Sequence, residues 1–357
     1  MRFHPTTKRW AALGLLALIG AVLLSACGQG PENYSNVLQP KGPISLQESN
    51  LTWIIFGIAA VIWFIVTTWL IVSVIRFRAR PGLAPALQTP GNTKIEIAWT
   101  IIPAAILFVV LGITISTMFA IANPPTPATL NVVAIGHQWW WEFQYPVQSS
   151  NGITTQIVTA DEMHIPVNTV VHVSLVSDNV IHSFWVPELS GKTDVIPGHD
   201  NSQWLKSDTI GSYRGACAEF CGSQHAHMDY VVKVDSASDF HAWAANQQTN
   251  ALTPATAQQA AGQQVFLSAG CIGCHQINGV THPAKLIGPN LTHFGGRSLI
   301  AGWVLSNTPA NLAEWVAHAQ DVKPDSDMPS FDGSSTGYPA LSQTQVNDLV
   351  AYLESLQ

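Results

Sequence analysis

Two stretches of the chain, Leu51–Ile75 and Ile97–Ala122, contain no charged residue, and each is long enough to cross about 30 Å of hydrocarbon at roughly 1.5 Å per residue. They predict a pair of membrane-spanning helices within residues 27–122. A third apolar run, Ala11–Leu24, is shorter, follows Arg2, Lys8 and Arg9, and ends at Leu24-Ser25-Ala26-Cys27. It reads as an export signal over residues 1–26 rather than as a span. Past the proline-rich exit at Asn123–Pro127 the period shortens. The runs Leu130–Ile135, Gln138–Tyr145, Thr169–Val176 and Tyr230–Val234 are separated by Asn, Gly, Pro and Asp turn signals, the spacing of a β-sandwich or barrel. This predicts an all-β domain over 128–243. Residues 244–257, rich in Gln, Asn, Thr and Ala, have linker composition. Beyond them, over 258–357, the period becomes helical: Val346, Leu349, Val350 and Leu353 share one face, and Ser342 with Gln345 forms a capping box ahead of them. The fold class is a multidomain membrane protein with a two-helix hairpin, an all-β domain and an all-α C-terminal domain.

Composition agrees. Only 10% of the 357 residues are charged, against about 25% in soluble globular chains. The net charge of −7 and the lack of a basic face argue against a nucleic-acid partner. Arg76, Arg78, Arg80 and Lys94 lie between the two spans, whereas no Lys or Arg occurs from Ile95 to Gly191. By the positive-inside rule that connection is cytoplasmic, and everything after Ala122 is external. The Leu-Ser-Ala that precedes Cys27 resembles the lipobox of bacterial lipoproteins, which would leave Cys27 as a lipidated N-terminus held by membrane lipid.

The other four cysteines fall in two pairs. Cys271-Ile272-Gly273-Cys274-His275 is a C-x-x-C-H string, in which two thiols can add across the vinyl groups of a haem while the adjacent imidazole reaches the iron. A redox dithiol or half a zinc site would share the two cysteines. No second cysteine pair in this domain completes zinc, and a dithiol has no need of the histidine. Met328, in Asp327-Met328-Pro329, is the only methionine after Met228 and is the expected second axial ligand, with His282 and His293 as competitors. Methionine opposite histidine raises the potential, which suits electron transfer. Gly288-Pro289-Asn290-Leu291 resembles the loop that follows the haem-binding histidine in small bacterial cytochromes c.

The second pair lies in the β domain, within Cys217-Ala218-Glu219-Phe220-Cys221-Gly222-Ser223-Gln224-His225-Ala226-His227-Met228. Thiolates, an imidazole and a thioether form a copper-type ligand set. Two cysteines four apart can bridge two copper ions, and His182, in His182-Ser183-Phe184-Trp185, is the candidate for the further histidine. A plain disulfide between Cys217 and Cys221 is the alternative, and it leaves His225 and Met228 without a purpose.

Together with Gly136-His137-Gln138-Trp139-Trp140-Trp141, Val186-Pro187 and Lys192-Thr193-Asp194, these segments resemble subunit II of the haem-copper cytochrome c oxidases, in the bacterial caa-type form with a fused cytochrome c domain. The resemblance covers nearly all of the mature chain. It implies a cupredoxin fold around a binuclear CuA centre. Cys217 and Cys221 would bridge both ions, His182 and Met228 would complete one, and His225 and the Glu219 carbonyl the other. Quinol-oxidising relatives lack these ligands, so the implied donor is a cytochrome c. Trp139 matches the family's electron-entry position; Trp140 stands where an aromatic such as Tyr is usual. Glu96 matches a glutamate at the mouth of a proton pathway into subunit I, and the Glu219 side chain matches a ligand of a magnesium ion at the subunit interface. The implied partners are the catalytic subunit I, with subunit III alongside, and a respiratory electron donor. The chain has no histidine-rich membrane helices to hold oxygen-reducing haems, so oxygen reduction and proton pumping belong to the complex. The readings set against this one are the CuA subunit of a nitric oxide reductase, which differs in its catalytic partner; a membrane copper chaperone, which would alternate β and α elements and has no use for a haem domain; and a stand-alone redox carrier, for which one anchor would suffice.

Overall fold

The computed structural model describes residues 35–78, 82, 88–148, 154–284 and 286–357; the export signal, Cys27 and Arg80 lie outside the described residues. The two apolar runs form α1 (Pro43–Arg76) and α2 (Thr93–Ala122), α1 extended beyond its run at both ends and α2 at its start. Asn92 caps α2, its Oδ1 accepting from the Lys94 and Ile95 amides at 3.1 and 3.4 Å. The 34 residues of α1 make a rod of about 51 Å, well beyond the hydrocarbon thickness. Its external end is built into the β domain: Ile44, Ser45 and Ser49 are buried, and Ser45 Oγ donates to the Glu188 carbonyl at 2.7 Å. From α2, the Ile121 carbonyl accepts from Trp204 Nε1 at 2.7 Å. Between the ends, side chains such as Trp63, Phe64, Trp69, Leu107 and Phe108 are exposed, as surfaces facing lipid or further helices must be.

The β domain has ten strands: β1 (Leu130–His137), β2 (Trp140–Gln148), β3 (Thr154–Ala160), β4 (Glu162–Pro166), β5 (Val171–Ser177), β6 (His182–Trp185), β7 (Thr193–Val195), β8 (Asn201–Leu205), β9 (Gly211–Cys217) and β10 (Asp229–Asp235). They form two five-stranded sheets, ordered β3-β2-β1-β5-β8 and β4-β10-β9-β6-β7. The β1–β5 and β4–β10 pairs are parallel and the others antiparallel. Alternation along the strands turns one side chain in two inward: Trp141, Phe143 and Tyr145 of β2 face Phe184 of β6 and Tyr230 of β10, all essentially inaccessible. Burying each such ring contributes about 1.5–3 kcal/mol. Edge-to-face contacts such as Trp141 on Phe184, with centroids 5.7 Å apart at 81°, add about 0.5–1.5 kcal/mol apiece. This aromatic floor carries the loops of the site.

Helix α3 (Ala237–Gln247) runs into the first four residues of the stretch whose composition reads as linker. Ser236 caps it, accepting from the Asp239 amide at 3.1 Å. Phe240 is buried, and Trp243 stacks on His164 at 4.2 Å and 12°, so packing on the sheet outweighs a polar composition. Only the residues from Gln248 to Thr256 connect the domains without regular structure. The C-terminal domain consists of α4 (Ala257–Ser268), α5 (Pro309–Ala317), α6 (Ala319–Val322) and α7 (Gln343–Glu354). Its core holds Phe266, Ile277, Leu312, Phe331, Leu349 and Tyr352. The Ser342–Gln345 capping box opens α7. A hairpin of two-residue strands, β11 (Leu299–Ile300) and β12 (Leu305–Ser306), is an addition that no sequence period of that length could announce.

Candidate functional site

Strand pairing sets the first half of the site. Phe184 lies opposite Cys217 in the β6–β9 register, which brings His182, on the same strand face as Phe184, beside the end of β9. The chain then turns through Cys221 into a short helical turn, His225–His227, and Met228 leads into β10. Cys217 Sγ lies 3.9 Å from His182 Nδ1, 3.8 Å from Cys221 Sγ and 3.2 Å from the Glu219 carbonyl oxygen. Cys221 Sγ lies 3.6 Å from His225 Nδ1 and 3.7 Å from Met228 Sδ. Both cysteines are free thiols. Cys217 is pushed well down, chiefly by the Cys221 thiol that points at it, with burial opposing and the His182 ring and the Glu219 and Ser183 backbone assisting; the same contact pushes Cys221 up. Two sulfurs therefore share a proton that a soft cation could replace. Two thiolates, two imidazoles, a thioether and a carbonyl converging in a buried pocket fit copper better than hard cations.

The surrounding residues hold these donors in place. His182 is wholly buried, and its Nε2 hydrogen-bonds Asn179 Oδ1 at 3.1 Å, which turns Nδ1 toward the sulfurs. The Cys221 carbonyl accepts from Gln138 Nε2 at 2.8 Å and from Trp139 Nε1 at 3.0 Å. Trp141 Nε1 donates to the Met228 carbonyl at 3.3 Å.

The C-terminal domain contains the second half, a mostly apolar cavity of roughly 1020 Å³ including its mouth, lined by Cys271, Cys274, His275 and Met328. His275 Nδ1 hydrogen-bonds the Pro289 carbonyl at 2.9 Å, leaving Nε2 as the lone-pair nitrogen. Burial pushes the His275 pKa down, keeping the ring in the neutral form a metal needs. A Cβ on Gly288 would stand 2.5 Å from His275 Cε1, so this loop touches the imidazole edge. Burial pushes Cys271 up to about 11 and raises Cys274 as well. A redox dithiol requires the opposite shift, whereas thiols that become thioethers do not, so the donor set fits a covalent haem. Neither His282 nor His293 lines the cavity, and His293 Nδ1 hydrogen-bonds the Gln357 carbonyl at 2.9 Å.

The same cavity is lined by Trp139 and Trp140 of the β domain, while Trp141 is core. The domains meet around it. Lys323 Nζ donates to the Trp139 carbonyl at 2.6 Å and Gln224 Nε2 to the Pro324 carbonyl at 2.9 Å. Ser298 donates to Glu162 Oε1 from both its amide and its hydroxyl, at 3.1 and 2.9 Å. The Arg214 guanidinium lies 5.6 Å from the centroid of Trp303. Burial pushes Asp161 up to about 6, against the pull of the Trp141 amide, Lys323 and Arg297; burial likewise pulls Lys323 down to about 8. Glu96 is exposed in the first turn of α2, and Glu219 is exposed although its carbonyl faces Cys217. Asn179, Asp161 and Lys323 carry no motif that sequence reasoning could have found, and Gln138 is legible only as part of the Gly136–Trp141 string.

Three family models match the chain: the transmembrane domain of cytochrome c oxidase subunit II over residues 33–115, its periplasmic domain over 130–235, and cytochrome c over 259–357. Cytochrome c oxidase subunit 2 of Alkalihalophilus pseudofirmus is 34% identical across 100% of this chain and 99% of its own length. The protein of the same name from Bacillus sp. strain PS3 is 32% identical across 98% of each. A crystal structure of the periplasmic domain of subunit II of cytochrome oxidase of Bradyrhizobium japonicum matches 34% of this chain and 95% of that one at 32% identity, with a TM-score of 0.31. The two apolar helices and the periplasmic-domain match place the chain in the inner membrane with its C-terminal domains on the periplasmic side. The chain belongs to the cytochrome c oxidase subunit II family, in the form that carries a cytochrome c domain at its C-terminus.

Proposed function

We propose that this electron-entry subunit takes electrons from an external cytochrome c-type donor at its C-terminal domain and relays them through the Cys217–Met228 centre to subunit I, which reduces oxygen to water and pumps protons. One observation carries the route. Trp139 lines the cavity that contains Cys271, Cys274, His275 and Met328, and its indole N–H is bonded to the carbonyl of Cys221.

When bound, haem c and the binuclear copper supply reversible one-electron chemistry. In this reading Cys271 and Cys274 would tether a haem, His275 and Met328 would ligate it, and the apolar wall of the cavity would keep water out. His182, Cys217, Cys221, His225, Met228 and the Glu219 carbonyl would hold the copper pair. Their fixed positions limit the rearrangement that a change of charge would otherwise demand. The Glu219 side chain, exposed at the copper loop, would reach a magnesium ion shared with subunit I. Glu96, exposed at the cytoplasmic end of α2, would stand at a proton entrance. Subunit III completes the assembly.

The test is to purify the complex through this chain, count copper and haem, record the EPR spectrum and follow gas consumption with reduced cytochrome c. Two coppers with a shared mixed-valence signal, one covalent haem and oxygen uptake are expected, and Trp139→Leu should slow copper reduction while haem reduction persists. A single-copper signal would overturn the centre. Consumption of nitric oxide in place of oxygen would assign the chain to a nitric oxide reductase.

A further inference from the structure

Lys323 follows α6 directly and is 3% exposed. Its ammonium has three protons to place. One goes to the Ala301 carbonyl of its own domain at 3.0 Å, and another to the Trp139 carbonyl of the copper domain at 2.6 Å. Asp161, also of the copper domain, is close enough to act on it electrostatically. A buried ammonium opposes the structure unless its donors and charge are matched. Two of the matching groups here lie across the domain boundary. In any other register of the two domains Lys323 would be buried unmatched or turned out to water, so it favours one docked pose over its neighbours.

The opposing backbone is shaped to this contact. Ala301, Gly302 and Trp303 have φ values of 58°, 68° and 73°, a left-handed run that is costly for alanine and tryptophan. A Cβ on Gly302 would meet Lys323 Nζ at 2.5 Å, the His227 carbonyl oxygen at 2.6 Å and the Trp139 carbonyl oxygen at 3.1 Å; both domains press on this one residue. Turned this way, the Ala301 carbonyl faces Lys323, and the Gly302 carbonyl accepts from the Asp229 amide of the copper domain at 3.3 Å. Trp139, which receives Lys323 at its carbonyl, is also the residue whose indole holds the Cys221 carbonyl.

We propose that Lys323 is a positioning residue for transfer between the two centres: anchored on the Trp139 carbonyl, it locks the haem domain in one register on the copper domain, so that the electron passes from a fixed pose and not from a tethered domain searching for its dock. This rests on the electron-relay reading above. In the step, one electron leaves the haem iron and one is taken up by the copper pair; no bond is made or broken, and Lys323 exchanges no proton.

The test compares the intact oxidase complex with its Lys323→Met and Asp161→Asn forms. After flash reduction of the haem, the wild-type haem-to-copper phase should be a single exponential unaffected by glycerol viscosity. In Lys323→Met it should slow about tenfold or more, spread over several phases and become viscosity-dependent, with haem absorption, copper EPR and the rate of haem reduction by the external donor unchanged. Asp161→Asn should show the same changes in weaker form. Independently of the metals, hydrogen exchange at the Gly302 and Asp229 amides should accelerate about tenfold in Lys323→Met, while exchange at Leu349 and Val350 of α7 stays fixed. The proposal is overturned by unaltered exchange and a single viscosity-independent phase in Lys323→Met, by viscosity dependence in the wild type, or by loss of either centre in the variant. Absence of a mixed-valence copper signal from the wild type would instead defeat the relay reading, and the exchange comparison would still decide the role of Lys323.

Discussion

The hydrogen bond between Asn179 and His182 allows a quantitative test of how the copper site is held. His182 has no exposed surface, and among the described residues its Nε2 bonds Asn179 Oδ1 at 3.1 Å. Asn179→Ala removes that acceptor and leaves an imidazole N–H unpaired. A buried donor stranded in this way costs about 1–3 kcal/mol. Asn179 is itself exposed, so water can enter the vacated space, and the lower end of that range applies. About 1 kcal/mol is roughly a fivefold loss, just below the roughly 10–100-fold seen when groups that orient metal-bound histidines are removed. The prediction is a drop in copper affinity of about five- to tenfold, measured by titrating the purified full-length chain with copper against a competing chelator. Asn179→Asp keeps an oxygen in place and should stay within about twofold of wild type. Wild-type affinity in Asn179→Ala would mean that ring packing against Trp141, centroids 6.0 Å apart, orients His182 unaided. An Asp variant as weak as the Ala variant would mean that Asn179 acts through the local turn, where its Oδ1 also accepts from the Val180 amide at 2.8 Å.

Three further outcomes follow from the geometry. Gly288→Ala places a methyl 2.5 Å from His275 Cε1, so the imidazole must shift and covalent haem content should fall at least about threefold by pyridine haemochrome assay; full haem content would show that the loop yields. Met328→His should leave the haem attached through Cys271 and Cys274 but lower its midpoint potential by on the order of 0.2 V, a quarter of the roughly 0.8 V that axial ligands span; an unchanged potential would exclude Met328 as a ligand. Burial would raise the pKa of Glu162, but Lys233 at 2.8 Å and the two Ser298 donors hold it below the ordinary value of 4.5. A lowered carboxylate stabilises the folded state fully above that value and loses its contribution as pH falls through its folded pKa. Acid titration of the intact chain should therefore loosen the 298–303 segment only once the pH falls below the ordinary carboxylate range, read by hydrogen exchange. Glu162→Gln, which keeps an acceptor for Ser298 but loses the charge, should destabilise the contact by about 1–2 kcal/mol and abolish that step.

What could be read from the sequence follows from how local each signal is. Cys271–His275 and Cys217–Met228 are contiguous strings whose spacing carries the chemistry. His182 lies 35 residues from Cys217; the need for a further histidine makes it a candidate, but the register of β6 on β9 that brings it to the sulfurs is invisible in one sequence. The three tryptophans look alike as a string. Trp139 sits in the turn between β1 and β2, while alternation along β2 sends Trp141 into the core and leaves Trp140, like Trp139, on the cavity of the C-terminal domain. Helix α3 carries four residues of linker composition past Trp243, whose packing on His164 and Tyr145 anchors it and cannot be seen in composition. Lys323 lies 184 residues from its partner Trp139, and nothing near it in sequence hints at burial.

The covered position of Trp139 also bears on how an external donor can reach this subunit. With 8% of its surface exposed, and with Lys323 and the C-terminal cavity against it, Trp139, the proposed electron-entry residue, is closed to a second protein in the docked pose. On the proposed route a soluble donor must then deliver to the C-terminal domain. Its docking charges are free to evolve there, independently of the copper loop. The connection between the domains, irregular only from Gln248 to Thr256, keeps the two partners at a high effective concentration however the donor behaves. Tethering alone would still leave orientation to chance. The matched burial of Lys323 removes that degree of freedom, and so the fusion can supply both encounter and register without the acidic face that a diffusing partner would need for steering.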